Sequence, residues 1–161
     1  MALVLAVNVA PGLTRAHAAN QTAPPNLAVQ TLGSGPVTGD PDRSLLLVRL
    51  ILAPGTSAPA YGYGGDVVLT IESGVLGYTA LLGNANATWG GAEENTAGAE
   101  FAPGSEVLLY PGDWLRVPKG AMQRLRDAGP TPTVLLASAI VAADEPFLQP
   151  FTSQTDHHPK P

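Results

Sequence analysis

The sequence predicts an all-β fold, and three observations carry that prediction. Sixteen prolines and eighteen glycines punctuate the chain. The apolar runs between them are only about five to ten residues long, the length of strands rather than helices. Several of these runs alternate apolar with polar residues, which is the period of a half-buried strand. At 161 residues with 45% hydrophobic and 13% charged content, the chain can bury one good core and is short for two ordinary domains. One globular domain is expected.

Residues 1–20 read MALVLAVNVAPGLTRAHAAN. They hold an apolar run, a turn signal at Pro11 and Gly12, and then Ala16, His17 and Ala18, the small-any-small triplet of a signal-peptidase site. The basic flank of a secretory signal is missing. Residues 1–18 are expected to be a truncated export signal, with 2–9 as a first strand being the alternative. Export would put the protein in the periplasm or outside the cell. The polar ANQTAPPN that follows fits the loose start of a mature chain. The expected organisation is this signal, an N-terminal arm with the first strand over 19–43, a barrel over 44–151, and a mobile tail over 152–161.

Eight strands are expected in order: NLAVQTL (26–32), SLLLVRLIL (44–52), VVLTIES (67–73), VLGYTALL (75–82), EVLLY (106–110), DWLRV (113–117), MQRLRD (122–127) and TVLLASAIVA (133–142). The separators APG, SG, PGD, PKG and DAGPTP supply the glycine and proline of tight reversals. Residues 83–105 are polar and glycine-rich, a long excursion with room for a short hairpin. The end of the chain, SQTDHHPKP, has nothing to bury. No apolar run approaches the roughly 18 residues of a membrane helix, so the chain is not expected to span a membrane by that route.

Charge and residue inventory exclude several function classes. The formal net charge is −5 and the eight Lys and Arg are scattered. Arg124 and Arg126 are the nearest approach to a basic cluster, so no nucleic-acid partner is expected. With no cysteine there is no disulfide, thiolate metal site or cysteine nucleophile. The three histidines are His17, His157 and His158, all outside the expected barrel. Histidine acid-base chemistry and a Ser-His-Asp triad are therefore unavailable there, and no catalytic residue is assigned.

Two segments keep a recognisable spacing. In GDWLRVPKGAMQRLRD, residues Gly112, Pro118, Gly120, Gln123 and Asp127 fall at the intervals of the second cupin motif, with Gln and Asp where that motif has His and Asn. In PGTSAPAYGYGGDVVLTIESG, residues Gly55, Tyr61, Tyr63, Val67 and Gly74 fall at the intervals of the first. With LAPG, ESGVLGYT, PGDW and ADEPF, the chain resembles small single-domain bacterial cupins of the type-2 kind over roughly residues 26–151. That resemblance implies a cupin jelly-roll barrel, a double-stranded β-helix.

Metal-binding cupins hold one divalent ion with two histidines and a glutamate from the first motif and a histidine from the second. The resemblance maps those places onto Tyr61, Tyr63, Val67 and Gln123. Imidazole and carboxylate suit Fe, Mn, Ni or Zn, whereas valine ligates nothing and a glutamine oxygen is a weak neutral donor. The expectation is a lost metal site and no cofactor. A ferric site built on the two phenols lacks an anionic partner.

Alternation supports the same frame. With Tyr61 and Tyr63 inward, Val67, Leu69 and Ile71 also face inward while Thr70 and Glu72 face solvent. In MQRLRD, placing Gln123 and Leu125 inside is the parity that avoids burying two guanidinium groups. Tyr61, Tyr63, Val67, Leu69, Leu115, Gln123 and Leu125 are thus the expected lining of an apolar site with two phenols and one amide. Paired inward tyrosines suit core packing as well as ligand contact. Gln123 can fix a ligand carbonyl or satisfy a tyrosine hydroxyl. Asp66 and Asp127 sit beside turns and are expected to cap them. Trp89 and Trp114 are candidates for contact with a partner subunit in a homodimer. The expected function is non-enzymatic binding of a small, largely apolar molecule in the barrel mouth. The alternatives are a metal-independent isomerase or lyase using Tyr61 or Tyr63 as general acid, and a structural module with a filled barrel.

Overall fold

Leucine and valine at alternate positions of the second strand set the architecture. In the computed structural model, which describes residues 23–90 and 98–151, β1 (Leu27–Val37) and β2 (Asp40–Leu52) form an antiparallel hairpin around Gly39. Leu46, Val48, Leu50 and Leu52 of β2 are buried while Leu45 and Leu47 face out. The expected export signal and the tail from 152 lie outside the described residues.

The remaining strands are β3 (Tyr61–Tyr63), β4 (Gly65–Ser73), β5 (Leu76–Leu82), β6 (Ala85–Thr88), β7 (Ala99–Phe101), β8 (Glu106–Leu109), β9 (Trp114–Val117), β10 (Met122–Asp127), β11 (Thr133–Ala142) and β12 (Leu148–Pro150). They make a seven-stranded sheet in the order β1-β2-β11-β4-β9-β6-β7 and a five-stranded sheet in the order β12-β3-β10-β5-β8. Every pairing is antiparallel. The two inner faces share one core, with Leu69, Leu115 and Leu135 from the large sheet and Leu76, Leu109 and Leu125 from the small one.

All eight expected segments are strands, and the 83–105 excursion contains the hairpin of β6 with β7. β3 and β12 were not expected. Each has three residues, too few to show a period, and β12 ends in a proline that is tolerated because this strand lies at a sheet edge. β2 begins at Asp40, so the first hairpin is continuous with the sheet.

The motif residues outside the site build its frame. Gly55, Gly74, Gly112 and Gly120 all have φ between 67° and 93°, where a side chain is strained. Asp127 lies 3% exposed; its Oδ2 accepts the Gly55 N–H at 2.9 Å and its Oδ1 contacts the Thr133 hydroxyl. Asp66 Oδ1 accepts the Lys119 N–H at 3.0 Å. Both carboxylates hold turns, as the sequence led us to expect. Asp113 does the same, accepting from Gly90 N–H and Tyr110 N–H.

Candidate functional site

Two inward-facing tyrosines and one glutamine meet because β3 pairs with β10. Gln123 lies directly across from Tyr61, and on its other side it pairs with Ala80 of β5. One step along, Leu125 pairs with Tyr78. The inner face of the small sheet therefore carries Tyr61, Tyr63, Gln123 and Tyr78 together. The large sheet supplies the opposing wall, where Val67 pairs with Val117 and Ala139 and Leu69 pairs with Leu115 and Ala137.

All seven residues expected to line the site are buried, none more than 1% exposed. Two aromatic contacts fix the rings: Tyr61 and Tyr63 meet edge-on with centroids 5.6 Å apart, and Tyr63 leans on Phe147 at 5.1 Å. Tyr78 and Phe147 were not expected at the site. Tyr78 was legible, since Leu76 and Ala80 on the same alternation are apolar and inward. Phe147 was not, because it precedes a three-residue strand with no period of its own.

Five side-chain atoms of this cluster are buried without a hydrogen-bond partner: the hydroxyls of Tyr61, Tyr63 and Tyr78, and both Nε2 and Oε1 of Gln123. Tyr61, Tyr63 and Gln123 lie within reach of one another, and their mutual polar contacts shift the two phenols, although none of the five atoms closes to a well-formed hydrogen bond. Leaving a buried polar group unpaired costs about 1–3 kcal/mol, so five in one place is a concentrated unmet demand for donors and acceptors.

Burial dominates the acid-base character of the cluster. Loss of solvation raises all three phenols above their ordinary value, Tyr63 to about 12 even though Tyr61 and Gln123 pull it back. They are neutral donors at physiological pH. No Lys or Arg is buried among the described residues, so the cluster offers no counter-charge to an ion.

The metal that the motif places imply elsewhere does not fit here. The four positions offer two protonated phenols, a neutral amide and a valine, and the carboxylates nearest in sequence, Asp66 and Asp127, are bound to backbone N–H groups. Among the described residues, no group of three or more His, Cys, Asp or Glu comes together.

The cluster is enclosed, where the sequence suggested a site open at the barrel mouth. An open depression of about 280 Å³ is lined by Gly64 and Gly65, next in sequence to Tyr63, together with Arg43, Asp66 and Lys119. No helix of the described residues is long and apolar enough to cross a membrane.

No protein-family model matches the chain, and no curated protein matches its sequence. Solved structures do match in shape. An oxalate oxidase in complex with the substrate analogue glycolate is 18% identical with a TM-score of 0.51, the match covering 81% of this chain and 58% of that one. Peruvianin-I, a cysteine peptidase from Thevetia peruviana latex, is 16% identical with a TM-score of 0.52, covering 89% and 76%. A DMSP lyase is 12% identical with a TM-score of 0.51, covering 78% and 53%. The chain thus spans little more than half of the oxidase and the lyase. At these identities the likeness is one of fold, and the fold is the cupin jelly-roll barrel.

Proposed function

We propose that the chain is a metal-free binding protein that holds one small, neutral, largely apolar molecule between its two sheets. The observation that carries this reading is the set of five unpaired polar atoms on Tyr61, Tyr63, Tyr78 and Gln123 inside an otherwise apolar core. Phenol hydroxyls and the Gln123 Nε2 call for an acceptor, and Gln123 Oε1 calls for a donor. A molecule with a hydroxyl at one end, or a carbonyl beside an N–H or O–H, answers both, and its apolar remainder suits Val67, Leu69, Leu115 and Leu125. An ion is disfavoured because nothing buried would compensate its charge.

The alternatives have less support. A tyrosine general acid works best with a pKa near the operating pH, and burial moves all three phenols the other way. A filled structural barrel agrees with the enclosure of the tyrosines, but it would leave Tyr61, Tyr63 and Gln123 to satisfy one another and the Tyr78 hydroxyl without a partner. The names of the three structural neighbours describe three different chemistries, so fold does not choose among functions. The peptidase chemistry also needs a cysteine that this chain lacks.

The test is native mass spectrometry of the protein from its natural source, followed by extraction of any bound compound. Retention of one organic molecule per chain, lost on denaturation, is the expected result. Stoichiometric metal, or neither ligand nor any stabilising hit in a thermal-shift screen of neutral small molecules, would overturn the proposal.

A further inference from the structure

The two sheets treat their outer faces differently. At the centre of the small sheet the outward positions are Thr79, Arg124, Arg126 and Glu106, with Arg126 paired to Glu106, and its exposed apolar side chains, Leu108 opposite Gly77 and Leu82 at the end of β5, are set apart from each other. An antiparallel sheet packed on one side is expected to look like this, polar where it meets water. The large sheet instead turns Leu45, Leu47, Val68, Ile140 and Trp114 outward, each 38–50% exposed. These side chains form one patch, since Leu45 pairs with Ile140, and Leu47 with Ser138, which pairs with Val68.

Beside the patch is a hollow that the fold itself does not require. Gly33 and Gly35 of β1 lie opposite Leu47 and Leu45, and neither has a positive φ. A Cβ added at either would meet nothing within 4 Å. Their missing side chains open a depression of about 430 Å³ against Leu45, Leu47 and Ser138. It adjoins a smaller one of about 210 Å³ lined by Val68, Arg116 and Ile140.

We propose that the outer face of the seven-stranded sheet is a self-association surface and that its occupant is a second copy of this chain. The face carries both protruding aliphatic side chains and a hollow, so two copies related by a twofold axis can each fill the other, as an isologous interface requires. Its charges also suit a copy of itself. Asp66 and Arg116 are exposed there with opposite signs, and Arg49 and Glu72 at the margin already satisfy each other at 2.9 Å. Five strands by six residues span about 24 Å by 20 Å, roughly 500 Å² in flat projection, on the scale of the ~800 Å² that each partner gives to a standard interface.

Sedimentation equilibrium of the full chain tests this. The wild type is expected to be a dimer at micromolar concentration, and Leu47→Glu to be a monomer with an unchanged circular dichroism spectrum. Gly33→Phe is the second variant, safe for the fold because its new Cβ has free space, and it is expected to weaken dimerisation at least tenfold by plugging the hollow. If Leu47→Glu fails to fold, Gly33→Phe decides alone. A monomeric wild type overturns the proposal. In that case quenching of Trp114 in a Trp89→Phe background tells a bare face from one covered by residues 1–22. A dimer that Gly33→Phe leaves unchanged within twofold also overturns it, because the contact then lies elsewhere.

Discussion

Asp127 Oδ2 accepts the backbone N–H of Gly55 at 2.9 Å, joining the end of one glycine-framed motif to the start of the other across 72 positions of chain. Around this bond Asp127 N–H donates to Thr56 O and Ala58 N–H to Leu125 O. The loop that leads into Tyr61 is thereby strapped to the strand that carries Gln123. Asp127→Ala removes two buried acceptors and is expected to cost about 2–4 kcal/mol. Asp127→Asn should cost under about 1 kcal/mol or stabilise: its Oδ1 still accepts from Gly55, and its Nδ2 can donate to Thr133 Oγ1, which is then free to donate to Val75 O. Urea titration of both variants checks the contrast, and equal losses would mean that the Thr133 arrangement differs in solution.

Tyr63 separates ring from hydroxyl. The ring packs on Tyr61 and Phe147, so Tyr63→Ala should cost about 3–5 kcal/mol through the cavity left behind. Tyr63→Phe deletes one unpaired hydroxyl and should leave ligand-free stability unchanged or slightly raised while weakening ligand retention. A near-neutral Tyr63→Ala in denaturant titration would show that the ring is not packed in the core.

Gln123→Met keeps the volume and removes two unpaired polar atoms. In the ligand-free protein it is expected to raise stability by about 1–3 kcal/mol, and in the loaded protein to lose binding. Destabilisation of the ligand-free form would instead assign the amide to buried water.

Alkaline pH should unfold the protein steeply. The three interior phenols have folded pKa values raised above the unfolded value near 10, Tyr63 to about 12. The unfolded chain therefore releases protons first as pH rises. Their contribution is fully present below about pH 10 and is lost above it, at up to ~1.4 kcal/mol per pH unit for each phenol. Phenolate absorbance from these residues should appear together with the loss of circular dichroism. Ionisation of all three in a still-folded protein would rule out their burial.

Rebuilding the donor set tests the frame. Tyr61→His, Tyr63→His, Val67→Glu and Gln123→His together place three imidazoles and a carboxylate where four enclosed side chains now point inward. One divalent ion per chain, with a metal-dependent rise in melting temperature, is expected. A folded variant that binds nothing would mean that the four positions do not converge.

Much of this was legible in the chain. Alternation is a local property, so Val67, Leu69 and Ile71, or Gln123 and Leu125 against Arg124 and Arg126, declare their face without a partner. Glycines at 55, 74, 112 and 120 declare turns because few other residues take a positive φ. The spacing between them fixed the barrel, and with it the absence of imidazole from the motif places. Segments without a period were silent, which is why β3 and β12 and the contact of Phe147 emerged only in the fold.

What tertiary structure alone decided is which of the inward groups meet and whether they are satisfied. Tyr78 and Tyr61 are 17 positions apart in sequence and on different strands, and only the pairing of β10 with both β3 and β5 brings them to one surface. A hydroxyl's partners are set by distance and direction across strands, which periodicity does not encode. The same holds outside, where only the register sets Gly33 and Gly35 opposite Leu47 and Leu45. Local sequence chooses a face for each side chain, because that choice depends on backbone geometry alone. The neighbours on that face come from strands distant in sequence, and these neighbours determine both the unmet polar cluster within and the apolar patch without.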